Sequence, residues 1–221
     1  NHLRPWKQRG VQNGAVLVVR NMTREILAYA GSEDFDDVAA SGQVDAVRAL
    51  RSPGSTLKPL LYAMEMERGE LTPRMSLLDT PYDAEGFLAE NYDGTYSGSV
   101  YADEALRRSL NVPLVRMLKT SGVYRFIDFA SEAGIVSLRA QEHRLGLSMI
   151  LGGCGVTLEE VVGAYTTFPN AGKYARLRYD HAGPPSPADV KQVFSASTAW
   201  MITEILAGLA RPDLPNNFAS A

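Results

Sequence analysis

One cysteine in 221 residues, Cys154, leaves no partner for an intrachain disulfide, and it marks neither a redox compartment nor a metal site. The three histidines, His2, His143 and His181, lie far apart and show no metal-ligand spacing, so neither a metal nor a cofactor is called for. No run of about eighteen apolar residues is present that could cross a membrane as a helix. Charge of one sign is lacking too. The net charge is −3 and no dense basic stripe exists, which argues against nucleic acid as a partner. What remains is an ordinary globular composition, 45% hydrophobic and 21% charged, with ample material for a core.

Residues 1–13 are polar and basic and read as a linker. Two short apolar runs, Gly14–Arg20 and Glu25–Gly31, flank Asn21-Met-Thr-Arg24 and predict a β-hairpin. Residues 32–50 read mainly as loop. Leu57, Leu60, Leu61 and Met64 have helical spacing from Ser55 to about Arg68, with Gly69 as the stop. Residues 72–98, rich in Pro, Asp, Gly, Tyr and Ser, read as an irregular excursion. Helices follow at about 101–109, 112–120, 123–133, 157–168 and 195–210. The fourth opens on a capping-box pattern, Thr157-Leu-Glu-Glu160.

Chemistry is suggested first by Ser55-Thr-Leu-Lys58, which follows a Pro-Gly turn at the start of the first helix. Three residues apart on a helix, serine and lysine share a face. A buried, transiently neutral amine could take the serine proton there, beside a helix end that favours developing negative charge. Alone the tetrad is weak, since S-x-x-K arises by chance in roughly one chain in three. The competing reading is a solvated lysine on a helix with a serine cap. Fifty-four residues on, Arg108-Ser109-Leu110-Asn111-Val112-Pro113 joins two predicted helices. Ser109 and Asn111 can project the same way, one to relay a proton and the other to hold substrate or lysine by hydrogen bonds. Both residues also suit helix ends, so capping stands beside chemistry as a reading.

Four segments then fall in order: Pro53-Gly-Ser55-Thr-Leu-Lys58-Pro59, Glu90-Asn-Tyr-Asp-Gly94, Arg108-Ser109-Leu-Asn111-Val-Pro113 and Leu151-Gly-Gly-Cys-Gly-Val-Thr-Leu158. Together they resemble the transpeptidase domain of class A penicillin-binding proteins, the bifunctional peptidoglycan synthases. Gly42-Gln-Val-Asp45 and Arg48-Ala-Leu-Arg51 are most like the 1C-type subgroup. The resemblance implies an α/β (α+β) penicillin-binding protein/β-lactamase-like fold. This chain would hold its N-terminal hairpin and helical subdomain, with residues 14–221 as a partial transpeptidase domain. It further implies that Ser55 is the acylated nucleophile, Lys58 its general base and Ser109 the proton relay, while Asn111 binds the substrate's peptide amide. Asn91-Tyr92-Asp93 would line or brace the cleft. Leu110 would only pack, and Cys154 would be a small packed residue among turn-forming glycines.

The implied substrates are peptidoglycan stem peptides, with β-lactam antibiotics as mimics. The implied location is the periplasmic, extracytoplasmic face of a bacterial inner membrane, reached through an anchor outside this chain. Hydrolysis, as a D,D-carboxypeptidase or β-lactamase, remains an alternative. So do a non-catalytic sensor or peptidoglycan-binding module and a helical interaction domain. One departure stands out. The family's third motif, Lys-Thr-Gly or Lys-Ser-Gly, follows none of the lysines, which are Lys7, Lys58, Lys119, Lys173 and Lys191. The chain also opens at Asn1 with neither an initiator methionine nor a signal peptide. The expectation is a piece of a longer product, with a C-terminal segment supplying the missing motif and the remaining sheet strands.

Overall fold

Valine-rich alternation at the N-terminus produces the expected hairpin. In a computed structural model describing residues 4–84, 86–180 and 183–209, β1 (Val16–Val19) pairs antiparallel with β2 (Ile26–Ala30). Val16 and Val18 face solvent, whereas Leu17 and Val19 are half-buried, so the ribbon packs through one face. A helical turn, α1 (Arg4–Lys7), lies inside the segment read as a linker, and Lys7 pairs with Glu33 at 3.0 Å. Residues 32–50 form turns, as expected.

The centre of the molecule is α2 (Lys58–Glu67), entered through a 3-10 turn at Gly54–Leu57. Its residues from Lys58 to Met66 are all buried, so it is a core helix wrapped on every side rather than an amphipathic surface one. Around it pack α4 (Val112–Ser121), α5 (Val123–Glu132), α6 (Leu158–Tyr165) and α7 (Ala196–Ala207). Leu57, Leu60, Leu61, Leu114, Leu118, Phe126 and Ile127 are wholly inaccessible in this cluster. Each such side chain contributes about 1.5–3 kcal/mol relative to exposure. The Thr157 capping box forms in full: its hydroxyl accepts from Glu160 N, and the Glu160 carboxylate accepts from Thr157 N at 3.0 Å.

Residues 72–98 are not irregular. They hold β3 (Ser76–Asp79), β4 (Tyr82–Ala84) and β5 (Phe87–Ala89), and β6 (Gly98–Tyr101) follows. β3 pairs antiparallel with β6, and β4 with β5. Strands of three or four residues are too short to show alternation, and their partners are set by the chain's return path, so local pattern missed them. β6 leads directly into α3 (Ala102–Arg107). Long 3-10 stretches at Val136–Arg144 and Leu147–Leu151, and the two-residue pair β7 (Lys173–Tyr174) and β8 (Lys191–Gln192), were likewise without a periodic signal. Two helices are shorter than expected, ending at Tyr165 and Ala207; position 210, the expected end of the second, lies outside the described residues. Among the described residues every sheet is two-stranded, and no helix is long and apolar enough to cross a membrane.

Candidate active site

Lys58 is the first residue of α2, and the same burial that makes α2 a core helix takes its amine out of water. The residue is 1% exposed. Its Nζ donates to the Ser109 carbonyl at 2.7 Å, the Leu110 carbonyl at 3.0 Å and Asn111 Oδ1 at 2.7 Å, with Ser109 Oγ at 3.3 Å. Burial pushes its pKa down from 10.5 to about 8, against the pull of the three acceptor oxygens, which favour the ammonium. Burial is the cause of the shift.

The cage exists because of the tight connection between α3 and α4. Ser109 takes φ +54°, the left-handed conformation, immediately after the C-terminal cap Arg108. Glycine usually fills that position, and a residue with a Cβ is strained there. The reversal aims both its carbonyl and its hydroxyl at Lys58. Asn111 occupies the N-cap position of α4, but its side chain makes no cap. It spends Oδ1 on Lys58 and one Nδ2 hydrogen on the Glu90 carbonyl at 2.8 Å. Capping falls instead to Asn91, whose Oδ1 accepts from Asn111 N at 2.8 Å and Val112 N at 3.3 Å. The bracing expected of the Asn91 segment is therefore concrete. The reading of both serine motifs as caps meets no side-chain cap at either α2 or α4.

Ser55 sits in the exposed 3-10 turn ahead of Lys58, at the N-terminal end of α2, and its carbonyl accepts from Lys58 N. Among the described residues its hydroxyl makes no hydrogen bond. Lys58, Ser109 and Asn111 are thus brought together, with Ser55 beside them on the open side. That turn is held from behind. Ser52 Oγ donates to the Gly152 carbonyl at 2.8 Å, and Arg51 and Val156 exchange two backbone hydrogen bonds. Gly152 (φ +102°) has no room for a Cβ, which would lie 2.5 Å from Ser52 Oγ and 2.8 Å from Gly54 Cα. Cys154, in the same loop, is half-buried with its thiol pushed up to about 11 by burial, an inert side chain rather than a nucleophile. Leu110 packs as expected, but its carbonyl also holds Lys58, a contact that no side-chain motif could have revealed. A cleft of about 450 Å³ between α2, β3 and α4, lined by Glu65, Leu77, Pro113 and Met117, touches none of these residues.

The penicillin binding protein transpeptidase domain family model matches residues 14–216. The chain belongs to this family. It is 35% identical over 203 residues to penicillin-binding protein 1C of Escherichia coli (strain K12), covering 92% of this chain and 26% of that protein. It is 30% identical over 167 residues to penicillin-binding protein 4 of Bacillus subtilis (strain 168), covering 74% and 26%. The likeness to the class A, 1C-type proteins thus runs over most of this chain, which itself spans about a quarter of the length of these relatives.

Solved structures agree on the fold. The PonA1 protein from Mycobacterium tuberculosis in complex with penicillin V superposes with a TM-score of 0.75 at 20% identity, over 89% of this chain and 55% of that one. The transpeptidase domain of Burkholderia pseudomallei penicillin-binding protein 3 gives 0.77 at 17%, over 94% and 65%. The mixed helix-and-strand architecture is therefore that of penicillin-binding transpeptidase domains, of which this chain holds a part.

Proposed function

We propose that this chain carries the attacking half of a serine D,D-transpeptidase that cross-links peptidoglycan and is acylated by β-lactams. The observation that supports it most is Lys58: a fully buried amine with its pKa lowered to about 8, caged by Ser109 and Asn111 one helical turn from an exposed serine. Neutral Lys58 accepts the Ser55 proton as Oγ bonds to the penultimate D-Ala carbonyl carbon of a stem peptide. The Ser55 hydroxyl must turn inward for this, as catalytic contacts commonly tighten only with substrate bound. Ser109 Oγ, 3.3 Å from Nζ, relays the proton to the leaving nitrogen as the C–N bond breaks and terminal D-Ala departs. An acceptor amine from a neighbouring strand then attacks the ester, and Ser55 recovers its proton. Asn111 retains one Nδ2 hydrogen for the substrate's peptide carbonyl.

In this reading a segment carrying a Lys-Thr-Gly strand binds the substrate carboxylate and completes the oxyanion hole, donors worth about 3–4 kcal/mol each. The working location is the extracytoplasmic face of the bacterial inner membrane. Labelling with a fluorescent penicillin tests the proposal. The full protein should be labelled covalently and its Ser55→Ala variant not at all, and the isolated 221-residue chain should label far more slowly than the full protein. Unchanged labelling of Ser55→Ala would refute the assignment. Release of D-Ala with and without an acceptor amine separates transfer from hydrolysis.

A further inference from the structure

Asp79 closes β3 and is wholly buried. Both carboxyl oxygens act as acceptors: Oδ1 from Asn91 Nδ2 at 2.7 Å, and Oδ2 from the Ser97 backbone N–H at 2.8 Å. No cation pairs with it among the described residues. A buried carboxyl without a cation is an expensive group to keep, so its two hydrogen bonds call for a reason.

The reason lies one step further in. Asn91 is 6% exposed and its amide is saturated, with Nδ2 donating to Asp79 and to Thr95 O, and Oδ1 accepting from Asn111 N and Val112 N. An amide has two ends, and only one orientation works here. Flipped, it would set NH2 against two backbone N–H groups at the start of α4. Two neighbours that accept, the Asp79 carboxyl and the Thr95 carbonyl, select the working orientation, and Asp79 is the one that a side-chain change can alter. A string of hydrogen bonds thus runs from β3 through Asn91 to Asn111, whose Oδ1 holds Lys58 Nζ at 2.7 Å. We propose that Asp79 is a positioning residue for acyl transfer, which orients the Asn91 amide and so sets where Asn111 presents its oxygen to Lys58. The inference rests on the reading of Lys58 and Ser55 as base and nucleophile.

The test compares acylation by a fluorescent penicillin, from pH 6 to 9, in the full protein and four variants: Asp79→Asn, Asn91→Asp, the two combined, and Ser55→Ala. Labelled fraction at saturation and melting temperature are read alongside. Asp79→Asn keeps the shape but points NH2 at either Asn91 Nδ2 or Ser97 N. Asn91→Asp sets two carboxyl groups together. Each single change should lower the acylation rate constant about tenfold to a hundredfold, the size of a small misplacement of a reacting group. The labelled fraction at saturation should stay near that of the parent. The pH midpoint should move away from that of the parent, because loosening the cage changes both the burial and the acceptor contacts of the Lys58 amine. The combined variant restores a donor–acceptor pair between positions 79 and 91, and should label at least about tenfold faster than Asn91→Asp. An unchanged rate and midpoint in Asp79→Asn overturns the proposal. So does failure of the combined variant to recover, or loss of labelling only in proportion to lost folded protein. Labelling that persists in Ser55→Ala overturns the underlying reading instead.

Discussion

Titration of Lys58 offers the sharpest check on the site. Its amine sits at 1% exposure with a pKa of about 8 rather than 10.5. If it is the base, the acylation rate follows the neutral fraction, roughly 1% at pH 6, 9% at pH 7 and 91% at pH 9. The rate constant for penicillin acylation should therefore climb about ninetyfold from pH 6 to pH 9 and level off there. An unshifted lysine would give a rise of roughly a thousandfold over the same range with no plateau. Stopped-flow or quenched labelling of the full protein across that range measures it. A flat profile, or a rise continuing past pH 9 without bending, would refute the argument from burial.

Stability follows the same group with a definite sign. Between pH 8 and 10.5 the unfolded chain holds a proton that the folded one has released, so this lysine's contribution to stability rises with pH, by of the order of 3 kcal/mol in all. Cys154 and Tyr165 act the other way. Burial raises them to about 11 and about 12, so their folded forms keep a proton that the unfolded chain loses above pH 9 and 10. A melting curve mixes these with other buried groups such as Tyr62 and Tyr174, which burial also raises, whereas the acylation rate isolates Lys58.

Two further expectations concern the frame around the site. Gly152→Ala forces a Cβ to 2.5 Å from Ser52 Oγ at a backbone angle of +102°, so it should displace the Ser55 turn. It should slow acylation at least about tenfold and cost about 1–3 kcal/mol in denaturant unfolding; wild-type values in both would show that the loop does not brace the turn. Thr157→Ala removes the capping box of α6 while leaving the neighbouring Arg51–Val156 backbone pairing, which holds the Ser55 turn, in place. A loss of about 1 kcal/mol with an unchanged acylation rate is expected, and a tenfold slower rate would contradict that separation.

Much of this was legible in the residues, for identifiable reasons. The hairpin and the helices announce themselves through periodicity and end signals, of which Thr157 and Glu160 are the clearest. β3 to β6 do not, since each is three or four residues long and finds its partner only after the chain has turned back. The site divides in the same way. Lys58, Ser109 and Asn111 could be picked out as side-chain chemistry at readable spacings, and the structure gathers them. The Leu110 carbonyl could not, because every residue has one. Asp79 is one of 25 acidic residues, and its link to Asn91 exists only because β3 ends against that loop. The serine itself carries the remaining gap: spacing places Ser55 beside Lys58, but its hydroxyl stands free of the lysine.

The left-handed backbone at Ser109 bears on how such a chain can change over generations. A side chain at φ +54° costs about 1–2 kcal/mol that glycine would not incur. Random drift toward a sturdier fold would therefore favour glycine at this position. Glycine would keep the carbonyl that anchors Lys58 and delete the hydroxyl beside it. If Ser109 relays the proton as proposed, selection on turnover opposes that exchange, and a descendant relieved of turnover would be free to make it.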